Sequence, residues 1–103
     1  MGWKCICFST EKLYGMYTHK RPCRILVDSQ TFLLSSWWMK KTLFRCEQGE
    51  IFKIQETITL GNRYFIVSAT GNGGEFVLSF RKKEQKSFRE WCRNTLGERF
   101  QEL

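Results

Sequence analysis

The residue types that could perform catalysis or bind a metal are few and poorly spaced in this chain. Its 103 residues contain five cysteines, one aspartate (Asp28) and one histidine (His19), and the closest cysteine pair is Cys5-x-Cys7. Zinc sites usually need Cys-x-x-Cys or mixed cysteine and histidine pairs. No serine-hydrolase, phosphate-loop or zinc-protease motif is present in the sequence. We therefore expect no metal, no cofactor and no enzymatic activity.

The cysteines instead suggest a compartment. Their number is odd, and the N-terminus MGWKCI lacks the charged-then-apolar pattern of a secretory signal. No apolar run approaches the roughly 20 residues that span a bilayer. We expect five reduced cysteines, most of them buried as small apolar side chains, in a protein of the reducing cytoplasm.

A second chemical signal is the segment SSWWMKK, which sets two tryptophans beside two lysines. Successive side chains of a strand point to opposite faces. Trp38 shares the phase of Phe32 and Leu34, so Trp38 is predicted to be buried and Trp37 to face outward. Trp37 could pack under the N-terminal segment, or it could contact a partner, since interfaces are rich in tryptophan.

The net charge of +7 favours acidic partners, which include an acidic protein surface, nucleic acid and an anionic membrane. The residues predicted to bind a partner combine the exposed tryptophan with the densest basic groups: Trp37, Lys40, Lys41, Arg81, Lys82 and Lys83. A weaker anion-binding pair is Lys20 and Arg21. The alternative for the basic helix residues is that they form only a solvated surface.

One amphipathic helix is predicted near the C-terminus, over residues 82–96. Apolar residues recur there at helical spacing: Phe88, Trp91, Cys92, Thr95 and Leu96. Gly97 follows at a position where helices commonly end. The opposite face carries five basic residues: Lys82, Lys83, Lys86, Arg89 and Arg93.

The rest of the chain reads as short strands rich in Ile, Val, Phe and Thr, separated by turn residues. The clearest hairpin is SATGNGGEFVLSF, with GNGG as its turn. In IFKIQETI, alternation predicts Phe52, Ile54 and Ile58 on one face. Residues 13–21 fit neither period, so they are expected to form a loop or an irregular strand. The fold class is mainly β (α+β), with about seven short antiparallel strands forming a bent sheet or partly open barrel, capped by the helix, in one domain over 1–103.

This order of elements resembles the pleckstrin-homology-like superfamily, and in particular its small bacterial members. The similarity covers residues 23–96, from CRILVD through the EIFKI strand and the hairpin to the helix SFREWCRNTL. It implies seven antiparallel strands capped by a C-terminal helix. The loop that binds phosphoinositides in lipid-binding members finds a loose counterpart in His19, Lys20 and Arg21.

A second resemblance is to a single-strand-binding unit of PUR or Whirly type, carried by NRYFIVSATGNGGEFVLSFRKKEQKSF. In such units bases stack on aromatic side chains while lysines follow the phosphates. The leading interpretation is a non-catalytic binding or adaptor module that recognises a protein partner through an aromatic and basic surface. The alternatives are single-stranded nucleic-acid binding and anionic-lipid binding.

Overall fold

The computed structural model describes residues 1–38 and 40–103, so Met39 of the SSWWMKK segment lies outside the described residues. The protein is mainly β, with one C-terminal helix. The strands are β1 (Gly2–Phe8), β2 (Lys12–Leu13), β3 (Met16–Tyr17), β4 (Arg21–Val27), β5 (Thr31–Ser36), β6 (Thr42–Glu47), β7 (Ile51–Thr59), β8 (Asn62–Ala69), β9 (Glu75–Ser79) and β10 (Phe100–Gln101). The helix is α1 (Lys82–Leu96), and two 3-10 turns cover Gln48–Glu50 and Gly97–Arg99.

Eight of these strands form one sheet in the order β10-β7-β8-β9-β1-β4-β5-β6, and β2 pairs with β3 separately. The sheet thus has eight strands where about seven were expected. The extra strand is β10, which runs parallel to the edge strand β7, whereas the other neighbouring pairs in the sheet are antiparallel. The region 13–21, expected to be a loop or irregular strand, contributes most of the β2–β3 hairpin.

The sheet is strongly curved around an aromatic core. Phe44 of β6 and Phe76 of β9 lie four strand spacings apart in the sheet, about 19 Å along a flat sheet. Their ring centroids are 5.3 Å apart. The sheet must therefore bend until its inner face nearly meets itself.

Helix α1 has the bounds that its periodicity predicts, and its apolar face lies in this concave core. Phe88, Cys92 and Leu96 are buried, and Gly97 follows with a φ of 56°. Phe88 contacts Trp3 of β1 and Phe65 of β8, at centroid distances of 5.1 and 5.2 Å. The helix therefore packs against both β1 and β8, which are not neighbours in the sheet.

The predicted GNGG hairpin is also confirmed, between β8 and β9. Gly74 accepts a hydrogen bond from the Ala69 amide, and a Cβ at Gly74 would overlap the Ala69 carbonyl oxygen. Glycine is therefore required at that position.

The predicted face of IFKIQETI is correct for Ile54 and Ile58, between which the strand register is regular, and wrong for Phe52. Phe52 and Ile58 are exposed, and the buried neighbours of Ile54 are Ile51 and Glu56. A β-bulge between Ile51 and Lys53 inserts Phe52 as an extra residue and disrupts the alternation.

Among the described residues, no helix is both long and apolar enough to cross a membrane.

Candidate functional site

The two tryptophans of SSWWMKK lie in a turn that follows β5. The Ser36 amide donates to the Lys41 carbonyl at 2.8 Å, and the Lys41 amide donates to Ser36 Oγ at 3.2 Å, which closes the turn. Strand alternation therefore stops at Ser36. Trp38 is 81% exposed, so its predicted burial is wrong. Trp37 is half-buried rather than fully outward.

Trp37 folds back over the outer face of the sheet, where two cations contact it. Lys4 Nζ lies 4.3 Å from the ring centroid and the Arg24 guanidinium carbon lies 4.5 Å from it. Lys4 and Arg24 are directly opposite each other on β1 and β4. Like charges in that position repel, and the electron-rich indole face attracts both. No ion pair of Lys4 or Arg24 with a carboxylate is found among the described residues.

Trp37 separates two surface clefts. The first, of about 570 Å³, brings the predicted residue Arg81 to the same site as Trp37; its walls are Lys4, Cys5, Ile6, Pro22, Cys23, Trp37, Ser79, Phe80, Arg81 and Glu84. The second, of about 500 Å³, contains the predicted Lys40; its walls are Arg24, Leu26, Leu33, Ser35, Ser36, Trp37, Lys40 and Thr42. We call Lys4, Arg24, Trp37, Lys40 and Arg81 together the Trp37 strip.

The other predicted binding residues lie outside the walls of these two clefts. Lys41, Lys82 and Lys83 are exposed beside the strip's two ends, in the turn before β6 and at the start of α1. Lys20 is exposed, and Arg21 lines a separate cleft of about 210 Å³ with His19 and Cys7 among its other walls.

Sequence reasoning did not select Lys4 or Arg24. The available signal was weak: each lies next to a cysteine on a short strand, and Cys5 and Cys23 are buried, so both cations must face outward. Their pairing across β1 and β4 depends on the strand register, which no local pattern gives.

The basic face of α1 is partly committed to ion pairs within the protein. Arg89 binds the buried Glu56 with an Nη2–Oε2 distance of 2.7 Å, and Arg63 binds the same carboxylate at 2.5 Å. Burial raises the pKa of Glu56, but hydrogen bonds from Arg89 and then Arg63 outweigh it and hold the pKa below its usual value. Arg93 pairs with Glu102. Arg89 and Arg93 are therefore already paired with carboxylates of the same chain, and of the two pairs only Arg89–Glu56 is buried.

The five cysteines are free thiols, and all except the half-buried Cys7 are buried. Burial raises the pKa of Cys46 to about 11 and raises the pKa of Cys5 and Cys92 further. Within residues 1–38 and 40–103, no cluster of three or more His, Cys, Asp or Glu side chains has metal-binding geometry. The two clefts beside Trp37 are lined by cations, apolar side chains and hydroxyl groups, with one carboxylate, that of Glu84.

Comparison with protein-family models and with curated proteins yields no match for this chain.

Proposed function

We propose that the protein is a non-catalytic binding module that docks an acidic segment of a protein partner on the Trp37 strip. The observation that carries the proposal is the half-buried Trp37 ring, contacted by Lys4 and Arg24 and bordered on each side by a cleft. Tryptophan and arginine are the residues that dominate binding energy when a partner covers them. The two cations would attract carboxylates without first having to leave an ion pair.

The architecture proposed for this module is a partly open barrel of pleckstrin-homology-like type. Support comes from seven antiparallel strands of five residues or more (β1 and β4 to β9), followed by one helix across the concave face. These strands follow one another as neighbours except at one place between β6 and β7, while the first and last of them, β1 and β9, are paired. The curvature seen at Phe44 and Phe76 favours the same architecture.

Protein is favoured over single-stranded nucleic acid because of how the Trp37 ring is used. Base stacking requires a free ring face, whereas Lys4 and Arg24 already lie over this ring. The basic stripe that would follow phosphates along α1 is also reduced, since Arg89 and Arg93 bind carboxylates of the same chain.

The proposal is tested by fluorescence polarisation with a labelled, irregular Asp/Glu-rich peptide. The variant is Lys4→Gln with Arg24→Gln, and the control is Lys53→Gln with Lys86→Gln, which removes the same charge elsewhere. We expect saturable binding that the first variant weakens about tenfold or more, equivalent to at least about 1.4 kcal/mol, while the control changes it less than about threefold. Equal weakening by both pairs would indicate only general attraction to a basic protein and would contradict the proposal.

Two parallel measurements separate the alternatives. A labelled single-stranded oligonucleotide that bound more tightly than the peptide, with a log-linear dependence on salt, would favour the nucleic-acid alternative. Preferential binding to vesicles containing phosphatidylserine, lost on replacing Lys20 and Arg21 by glutamine, would favour the anionic-lipid alternative. Either result would overturn docking of an acidic protein segment as the main activity.

A further inference from the structure

The first half of β1 has an open backbone edge beside Trp37. Strand β9 pairs with β1 only at Ile6, Cys7 and Phe8. No other strand covers the Gly2–Cys5 part of that side among the described residues. An uncovered edge presents a row of N–H and C=O groups that another strand can pair with.

The hydrogen-bond pattern shows which backbone groups face this edge. Met1 and Val27 exchange two hydrogen bonds, with N···O distances of 2.9 and 3.3 Å. Hydrogen-bonded pairs alternate in antiparallel strands, so Trp3 and Cys5 also direct their backbone groups toward β4. Gly2 and Lys4 therefore direct their N–H and C=O groups the other way, and Lys4 lines the first cleft.

The opposite wall of that cleft is made where the chain leaves β9 and enters α1. Ser79, Phe80 and Arg81 line it, with Glu84 from the first turn of the helix. The open edge of β1 enters this cleft at Lys4 and continues beyond it to Gly2, while the facing wall contains the Phe80 ring and the rim contains Trp37. Its charged walls are Lys4 and Arg81 against the single carboxylate of Glu84, and Arg24 lies over Trp37.

We infer that the cleft binds an extended acidic peptide as a short additional strand on the Gly2–Lys4 edge of β1. This inference rests on the proposed function and specifies how the acidic partner is held. A row containing both N–H donors and C=O acceptors matches a peptide backbone, whereas a phosphate or carboxylate alone would use only the donors. The excess of cations selects an acidic sequence.

The alternation of a strand also defines the peptide's pattern. Side chains at alternate positions would point outward, toward Lys4 and Trp37, and the others would point inward, toward Cys5 and Phe80. The matching sequence therefore alternates acidic and apolar residues, as in Glu-Val-Glu-Val-Glu-Val.

The test uses that hexapeptide, labelled with fluorescein, and two versions that carry backbone N-methyl groups at alternate positions. One version blocks the N–H groups at the three Glu residues and the other blocks those at the three Val residues. Only one set can face β1 in a paired strand, so we expect one version to bind at least tenfold more weakly and the other within about threefold of the parent. Amide hydrogen exchange of the full chain should show slower exchange at Lys4 when the parent peptide is bound.

The outcomes separate this inference from the proposed function. Equal affinity of all three peptides, no change at the Lys4 amide and weaker binding by Trp37→Leu would overturn strand pairing and leave the Trp37 strip as the docking surface. If neither this peptide nor the irregular acidic peptide bound, both proposals would be overturned. A strong preference for one methylated version together with protection of Lys4 would support both.

Discussion

At the scale of single residues, Glu56 is the charged side chain that depends most on its ion-pair partners, because it is buried. Its side chain is fully buried, and it receives hydrogen bonds from Arg63 and Arg89. Removing one partner of a buried ion pair leaves the other charge uncompensated. We expect Glu56→Gln to lower the free energy of unfolding by roughly 3 kcal/mol, measured by urea denaturation at pH 7.

The control for Glu56 is Glu102→Gln, which removes a carboxylate from the exposed pair with Arg93. Exposed pairs contribute little because solvent screens them, so this variant should lie close to wild type. Equal destabilisation by the two substitutions would contradict the importance of burial at Glu56.

The same residue gives the protein an acid-sensitive contribution to stability. The pKa of Glu56 is lower in the folded protein than in the unfolded chain, because the hydrogen bonds of Arg89 and Arg63 outweigh burial. Its contribution is therefore fully present above the unfolded pKa of about 4.3 and is lost as pH falls through the lower folded pKa. Urea midpoints at pH 7, 5 and 3 should fall less steeply for Glu56→Gln than for wild type. Parallel pH curves would contradict this assignment.

At the scale of elements, Trp37 stabilises the β1–β4 pair by lying over two like charges. Lys4 and Arg24 should repel each other more strongly when the ring is absent. We therefore expect Lys4→Gln to be costly in wild type and neutral or stabilising in a Trp37→Leu background. The coupling energy should be about 0.5–1 kcal/mol, measured by a double-mutant cycle in urea.

Trp38 provides the matched control for that cycle. Its side chain is 81% exposed, so Trp38→Leu should leave the cost of Lys4→Gln unchanged. A coupling of similar size with Trp38 would show that the effect comes from the turn and not from the Trp37 ring.

Elements with a strong local period could be predicted from the sequence, and the contacts between elements could not. The helix 82–96 and the GNGG hairpin follow from apolar spacing and turn residues, which act within a few positions. The Trp38 prediction was wrong because alternation holds only inside a strand, and β5 ends at Ser36. The Phe52 prediction was wrong because a bulge disrupts the register.

The candidate site was only partly visible in the sequence for a related reason. Trp37 and Arg81 are unusual locally, so composition and charge could single them out, but they are 44 positions apart (81 − 37) and meet only through the sheet. Lys4 and Arg24 depend on the β1–β4 register. Arg89 was predicted as part of a basic face, but its guanidinium binds the buried carboxylate of Glu56 on β7.

At the scale of the whole molecule, the curved sheet and the helix share one aromatic core, so they should unfold together. Phe88 of α1 is fully buried and contacts Trp3 of β1, Phe65 of β8 and Phe80, which directly follows β9 and whose ring is 4.5 Å away. Replacing a buried phenylalanine by alanine typically costs about 3–5 kcal/mol. Phe88→Ala should lower stability by that amount, and Phe88→Leu, which leaves a smaller cavity, should lower it less.

In both Phe88 variants, far-ultraviolet and near-ultraviolet circular dichroism should report a single coincident transition in urea. The rings around Phe88 belong to β1, β8 and the segment after β9. Loosening the helix would therefore expose the core side chains of all three to water. If the helix signal were lost at lower urea while the near-ultraviolet signal of the aromatic core persisted, α1 would be an independently docked element. The strip between Trp37 and Arg81 would then depend on that docking, because Arg81 immediately precedes the helix.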